Sequence, residues 1–258
     1  MSYKPKVIVY IDGFNLYNGI ARSDRLNCKW VDLHHFFAYN QLANHDIVGI
    51  KFFTAQVVGS GLINQLRYLQ ALQTISQLTV IEGFFQNKTI KCGVQACGNV
   101  RSSRQFKRPS EKKTDVAIAS AMFEDAINGS MDEIALVSGD SDFVPAIESI
   151  RRCFPDIKVN VFVPTMGKRF DQLKSLIETG RMNAQSSYAN ELRQAAHKNK
   201  DVNIPAFLRS QFPETVVDAN GNQIKMPDSW VRADTRTFSR LMADLEEKAK
   251  KIKGYKPG

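Results

Sequence analysis

Cysteine is scarce in this chain. Four in 258 residues do not make a disulfide framework, which excludes a small stapled secreted scaffold. Long apolar runs are missing too; no stretch reaches the about 18 apolar residues a membrane helix needs. The opening "MSYKPKVIVYIDG" has a short apolar run ending in an aspartate, with no small-residue cleavage site, and does not read as a signal peptide. These absences predict a reduced, cytoplasmic protein with no membrane association. Acidic residues are in deficit, with 26 Asp+Glu against 35 Lys+Arg and a net charge of +9. That balance favours an anionic partner, nucleic acid before an acidic membrane surface. No glycine-rich phosphate-binding loop is present ("GVQACG" is not one), so a nucleotide cofactor has no support.

What is present is an ordinary globular composition, 43% hydrophobic and 24% charged, which excludes dominant disorder. Short apolar runs at Val7–Ile11, Val48–Val58, Leu78–Phe85, Ile134–Val137 and Val159–Val163 read as strands. The first and fourth are nearly continuous rather than alternating, as in strands covered on both faces of a parallel sheet. Helical patterns lie between them: "WVDLHHFFAYNQL", "GLINQLRYLQALQTI", "TDVAIASAMFEDAI" and "DFVPAIESIRR". The alternation predicts an α/β fold, a doubly wound, mostly parallel sheet flanked by helices. The pattern changes after about residue 183. We therefore expect a main domain over 1–183 and a small C-terminal extension over 184–258. The extension has short strands about an Asn220-Gly221 turn and a terminal helix from about Thr237 to Ile252.

Acids stand where such folds bind ligands, at the carboxyl ends of strands. Asp12 follows the first apolar run; Asp140 and Asp142 follow the fourth. Asp115 opens a helix in register with Ile118, Ala119, Met122, Phe123 and Ala126, so it is expected to face inward at the first turn. Each acid alone has a plain explanation as a turn or helix-dipole residue. Together they do not, since two charges 4 Å apart repel by about 4 kcal/mol at an effective dielectric of 20. Convergent aspartates take up protons or bind a cation, and oxygen-only ligands suit Mg²⁺ or Mn²⁺ rather than zinc. Aspartate-held metal can ligate a phosphodiester oxygen and activate a water for in-line attack. Immediately ahead of Asp115, the stretch from Lys88 to Lys113 holds eight basic residues and a single acid, Glu111. Arg101, Arg104, Lys107, Arg108, Lys112 and Lys113 are the candidate contacts to a polyanion. A second basic cluster, from Lys248 to Lys256, closes the chain.

The segments "VIVYIDGFNLYNG", "EKKTDVAIASAMFEDA", "LVSGDSDFVPAIESIR" and "VNVFVP", in this order over roughly residues 5 to 180, resemble the NYN domain in its LabA-like branch, a relative of PIN-like nuclease folds. "YLQAL" and "GNQIKMPDSW" also look like that branch. The resemblance implies a Mg²⁺-dependent ribonuclease acting on RNA. It implies a metal site of Asp12, Asp115, Asp140 and Asp142, with Asn15 close to the metal water or scissile phosphate and Ser138 as a supporting residue. PIN-like sites often carry a further glutamate; Glu111 is a stand-in that also reads as a helix flank.

Other signals are weaker. Cys92 and Cys97 lack the second pair that structural zinc requires, and His34-His35 are neighbours that do not share a helix face. A non-catalytic RNA-binding or regulatory module on the same fold is the alternative, using the basic stretch with Phe84, Phe85 and Phe106 for stacking. A haloacid-dehalogenase-type phosphatase needs an aspartate two residues after the nucleophile, where this chain has Phe14. Homo-oligomerisation stays open.

Overall fold

The first strand, β1 (Lys6–Asp12), is buried from Val7 onward, and its side chains divide between two cores. Val7, Val9 and Ile11 enter one, while Ile8 and Tyr10 enter the other. This two-sided burial is why the run is continuous rather than alternating. The computed structural model describes residues 3–21, 28–57, 59–91, 105–165, 168–182, 189–202, 204–230 and 235–256, with backbone only at 20–21, 84–91, 105–112, 168, 171, 204, 235 and 237.

After β1 come α1 (Gly13–Ala21), α2 (Leu33–Phe36) continued by a π turn (Phe37–Gln41), β2 (Asp46–Ala55), α3 (Leu62–Leu72) and β3 (Leu78–Lys91). Then follow β4 (Gln105–Lys112), α4 (Thr114–Ile127), β5 (Glu133–Val137), a short 3-10 turn (Ser141–Phe143), α5 (Val144–Cys153), β6 (Lys158–Val163) and α6 (Lys168–Thr179). The remainder comprises α7 (Asn190–Ala195), β7 (Lys198–Asp201), α8 (Ile204–Arg209), the hairpin β8 (Thr215–Val217) and β9 (Gln223–Lys225), and α9 (Thr235–Lys250). The main sheet has the order β4-β3-β2-β1-β5-β6-β7. Six strands are parallel; β4 runs antiparallel to β3 at one edge. The fold is a mostly parallel α/β sheet flanked by helices, as the alternation of patterns predicts.

One core holds Trp30, Leu33, Phe36, Phe37, Leu69 and Leu72 against the sheet. The other holds Ile118 and Met122 of α4, Ile147 and Ile150 of α5, and Leu192 of α7. Beyond residue 183 the chain joins the same layers. β7 pairs with β6, and Val202, Phe207, Phe212 and Trp230 lie in the first core. Leu173 and Leu176 of α6 pack with Ala249 of α9. β8 and β9 flank the Asn220-Gly221 turn that the sequence signals, with Gly221 at φ 84 and the Asp218 carboxylate accepting the backbone N–H groups of Asn220 and Asn222. Two strands differ from expectation. β4 lies inside the basic stretch, and β7 ("KNKD") is exposed along its whole length, so neither has an apolar pattern to announce it. None of the described helices is long and apolar enough to cross a membrane.

Candidate metal centre

The sheet order places a crevice at the acids. From β1 the chain moves outward through β2 and β3, then returns to lay β5 on the other side of β1. Loops leaving β1 and β5 therefore diverge above their carboxyl ends, the topological switch point where open α/β sheets bind ligands. Ile11 pairs with Val137, so Asp12 and Ser138 leave the sheet side by side.

A chain of hydrogen bonds ties the two loops. Asp12, 5% exposed, accepts the Asn15 N–H on Oδ1 at 2.9 Å and the Ser138 hydroxyl on Oδ2 at 3.1 Å. Fully buried Ser138 in turn accepts the Asp140 N–H at 3.1 Å. The Asn15 side-chain oxygen accepts the Gly139 N–H at 3.0 Å. Asp140 caps the 3-10 turn, its Oδ1 accepting the Asp142 N–H at 3.0 Å, and Pro145 follows in the first turn of α5, where its missing N–H is harmless. Each polar group that leaves the sheet here is thus used to set the loop that carries the next acid.

Asp115, Asp140 and Asp142 converge, with one carboxylate oxygen of each within 4.8 Å of the others. Asp12 does not join this group; it stands behind it, linked to Asp140 through Ser138. Asp115 differs from expectation in one respect. It meets the other acids but is exposed, whereas Ile118 and Met122 on the same stripe are buried. The first turn of α4 sits at the crevice, so its inward face looks onto acids and solvent rather than onto core. The turn is entered through Lys113, which takes a left-handed φ of 74, a conformation costing an L residue about 1–2 kcal/mol.

Electrostatics mark the crowding. Partial burial raises the Asp115 carboxyl above the ordinary aspartate value, and the charges of Asp140 and Asp142 raise it further. Because the folded chain holds this proton more tightly than the unfolded chain, the group favours folding below the ordinary aspartate range. That contribution disappears as pH rises through the raised value. At neutral pH three like charges face one another, and hard oxygen donors of this kind fit Mg²⁺ or Mn²⁺. Asp115→Asn is therefore expected to raise the melting temperature at pH 7 in EDTA, by about 2 °C at most for so exposed a group. The gain shrinks as pH falls toward the ordinary aspartate value, and the variant is expected to lose any stabilisation that added Mg²⁺ gives the parent. Differential scanning fluorimetry across pH, with and without Mg²⁺, checks this.

The other candidates fall as follows. Arg101 and Arg104 lie outside the described residues, as do Cys92 and Cys97. Lys107, Arg108 and Lys112 lie on β4, with their side chains outside the described set, and Lys113 is exposed at the start of α4. β4 thus delivers its basic sequence directly into the helix that carries Asp115. His35 Nδ1 lies 3.1 Å from the Ser210 hydroxyl. Buried Cys28 has its thiol pushed up to about 12 by desolvation, which makes it inert.

Sequence reading missed a cavity of about 480 Å³ whose lining begins at Gly13, the residue after Asp12. Its walls include Gly13 and Phe14 of α1, Phe52 of β2, Tyr68 of α3 and Trp230. No sequence spacing announces it, because the described lining comes from five separate stretches of chain.

The family model for the NYN domain matches residues 6–179, which span β1 to the end of α6. The chain belongs to the NYN domain family. This membership accords with the nuclease-like sheet and with an acidic cluster suited to a metal ion. Among curated proteins, this NYN-domain protein is similar to 6-hydroxy-3-succinoylpyridine 3-monooxygenase HspA of Pseudomonas putida. The two are 27% identical over 251 residues, covering 86% of this chain and 74% of the relative. Among solved structures it is similar to a protein of unknown function, VPA0982, from Vibrio parahaemolyticus. That match has a TM-score of 0.44 and 18% identity, covering 79% of this chain and 97% of the other.

Proposed function

We propose that this NYN-domain protein, of the LabA-like branch by its motifs, is a metal-dependent ribonuclease. The observation that carries the reading is the convergence of Asp115, Asp140 and Asp142 within 4.8 Å at the strand switch point. These three side chains would hold Mg²⁺ or Mn²⁺. A bound ion supplies an acidified water and offsets charge on the scissile phosphate. The protein's own contribution is placement. Asp12 and Asn15 pin the β5 loop through Ser138 and Gly139, so that Asp140 is presented from a rigid turn. The basic sequence of β4, with Lys113 at its end, would hold the RNA backbone beside the acids.

Cleavage of a labelled single-stranded RNA tests this. It is expected with Mg²⁺ or Mn²⁺ and is expected to stop with EDTA. Retained cleavage in a purified Asp12→Asn/Asp140→Asn double variant removes the reading. Salt-sensitive RNA binding with no cleavage under any metal supports the non-catalytic RNA-binding module instead.

The relative named as a pyridine monooxygenase favours a second reading, because the aromatic cavity has room for a small heterocycle. Oxygen uptake that depends on 6-hydroxy-3-succinoylpyridine, measured with an external two-electron reductant supplied, is the result that would establish it.

A further inference from the structure

The cavity that begins at Gly13 has a wall chemistry of its own. Phe52, Tyr68 and Trp230 form its aromatic lining, and Tyr17, 46% exposed, stands at its rim. Among the described residues no acid lines it, and the charged residue there is Lys29. The Lys29 ammonium lies 5.0 Å from the centroid of the Tyr17 ring and 5.8 Å from that of Trp230, and it forms no ion pair among the described residues. Gln65 is committed to the wall, bonding Val57, Thr54 and Ala55. Asn64 donates to the Ser229 hydroxyl at 3.1 Å, and its amide oxygen has no donor among the described residues. Gly13 and Phe14 join the lining, and their chain neighbours Asp12 and Asn15 hold the acidic loops.

Each feature narrows the occupant. Aromatic faces select a planar π system, an ammonium without an ion-pair partner among the described residues selects an anionic one, and an amide edge supplies hydrogen-bonding polarity. An aliphatic chain would use neither Lys29 nor Asn64, and a cation would be repelled. We infer that the cavity is a base subsite, taking one unstacked nucleobase of the RNA against Tyr17 and Trp230, with the phosphate of that nucleotide on Lys29. Single-stranded RNA is commonly read in this way, by stacking on aromatic side chains. The inference takes its RNA chemistry from the ribonuclease reading, but the subsite needs no metal.

Both tryptophans of the chain report on the site, since Trp230 lines it and Trp30 packs on Trp230 with ring centroids 6.3 Å apart. The experiment titrates the four nucleoside 5′-monophosphates into the full-length protein in EDTA, following tryptophan fluorescence, with inorganic phosphate as control. Saturable quenching by at least one nucleotide and none by phosphate is expected. Tyr17→Leu and Lys29→Gln should each weaken it by about tenfold. In the cleavage assay the same two variants, checked for an unchanged melting temperature, should raise KM and shift the positions cut. Absence of saturable quenching overturns the subsite, as does metal-dependent cleavage whose KM and cut positions neither variant alters; both outcomes leave the ribonuclease reading intact. Nucleotide binding with no cleavage in Mg²⁺ or Mn²⁺ supports the subsite and removes the ribonuclease reading.

Discussion

Asp140→Asn is expected to lower Mn²⁺-supported RNA cleavage by about 10²–10³-fold, because transition-state charge stabilisation by a bound metal is worth several kcal/mol. The fold should be spared. Asp140 has a second duty, accepting the Asp142 N–H on Oδ1, and an asparagine oxygen performs that duty nearly as well as a cap. Removing one charge also relieves Asp115, whose carboxyl is raised partly by Asp140, so the melting temperature in EDTA should hold or rise slightly. A turnover assay paired with Mn²⁺ titration calorimetry separates the two duties. Cleavage and Mn²⁺ affinity should fall together while stability does not. A variant that cuts RNA at the parental rate would show that the acidic trio is not the reaction centre.

Gly13→Ala is expected to damage both stability and activity. A Cβ at Gly13 would lie 2.6 Å from the Phe53 carbonyl oxygen and 2.7 Å from Phe52 Cζ. The Phe53 carbonyl cannot retreat easily, since β2 is paired on both sides, with β1 and with β3. The start of α1 must then move away from the sheet, at a cost of about 1–3 kcal/mol for overpacking, or about 2–12 °C in melting temperature for a chain of this size. Asp12 precedes Gly13 and Asn15 follows two residues later, so the loop ties to Ser138 and Gly139 move with them. A displacement of about 1 Å can cost about 10²-fold in rate. Gly49→Ala is the matched control. Its nearest neighbour is an Ile8 methyl at 3.8 Å, ordinary contact, and the change should stay within about 0.5 kcal/mol. Thermal melts of both variants check the contrast.

The strands legible in the sequence are those buried on both faces. β1 and β5 carry unbroken apolar runs because each residue meets one core or the other. β7 was not legible, for the opposite physical reason. It owes its conformation to backbone pairing with β6 and to His197, which donates its N–H to the Val159 oxygen and accepts the Val159 N–H on Nδ1; no side-chain pattern encodes either. Asp12, Asp140 and Asp142 could be found because an acid after a buried strand is conspicuous. That Asp115 meets two of them depends on the return of the chain to the far side of β1, which spacing does not reveal. The exposure of Asp115 was missed because helical periodicity gives a direction but not what lies there. The aromatic cavity was the least legible, since Trp230 closes it against residues more than 150 positions earlier.

The outermost strand on the β6 side is four residues long and wholly polar, with Lys198 and Lys200 along it. A bare sheet margin is otherwise a template onto which another polypeptide can crystallise its own backbone. Here the margin is only four residues long and two of them are lysines, so the reach is too short to repay the encounter. Crowded copies of the molecule therefore gain little by zipping into fibres along that side.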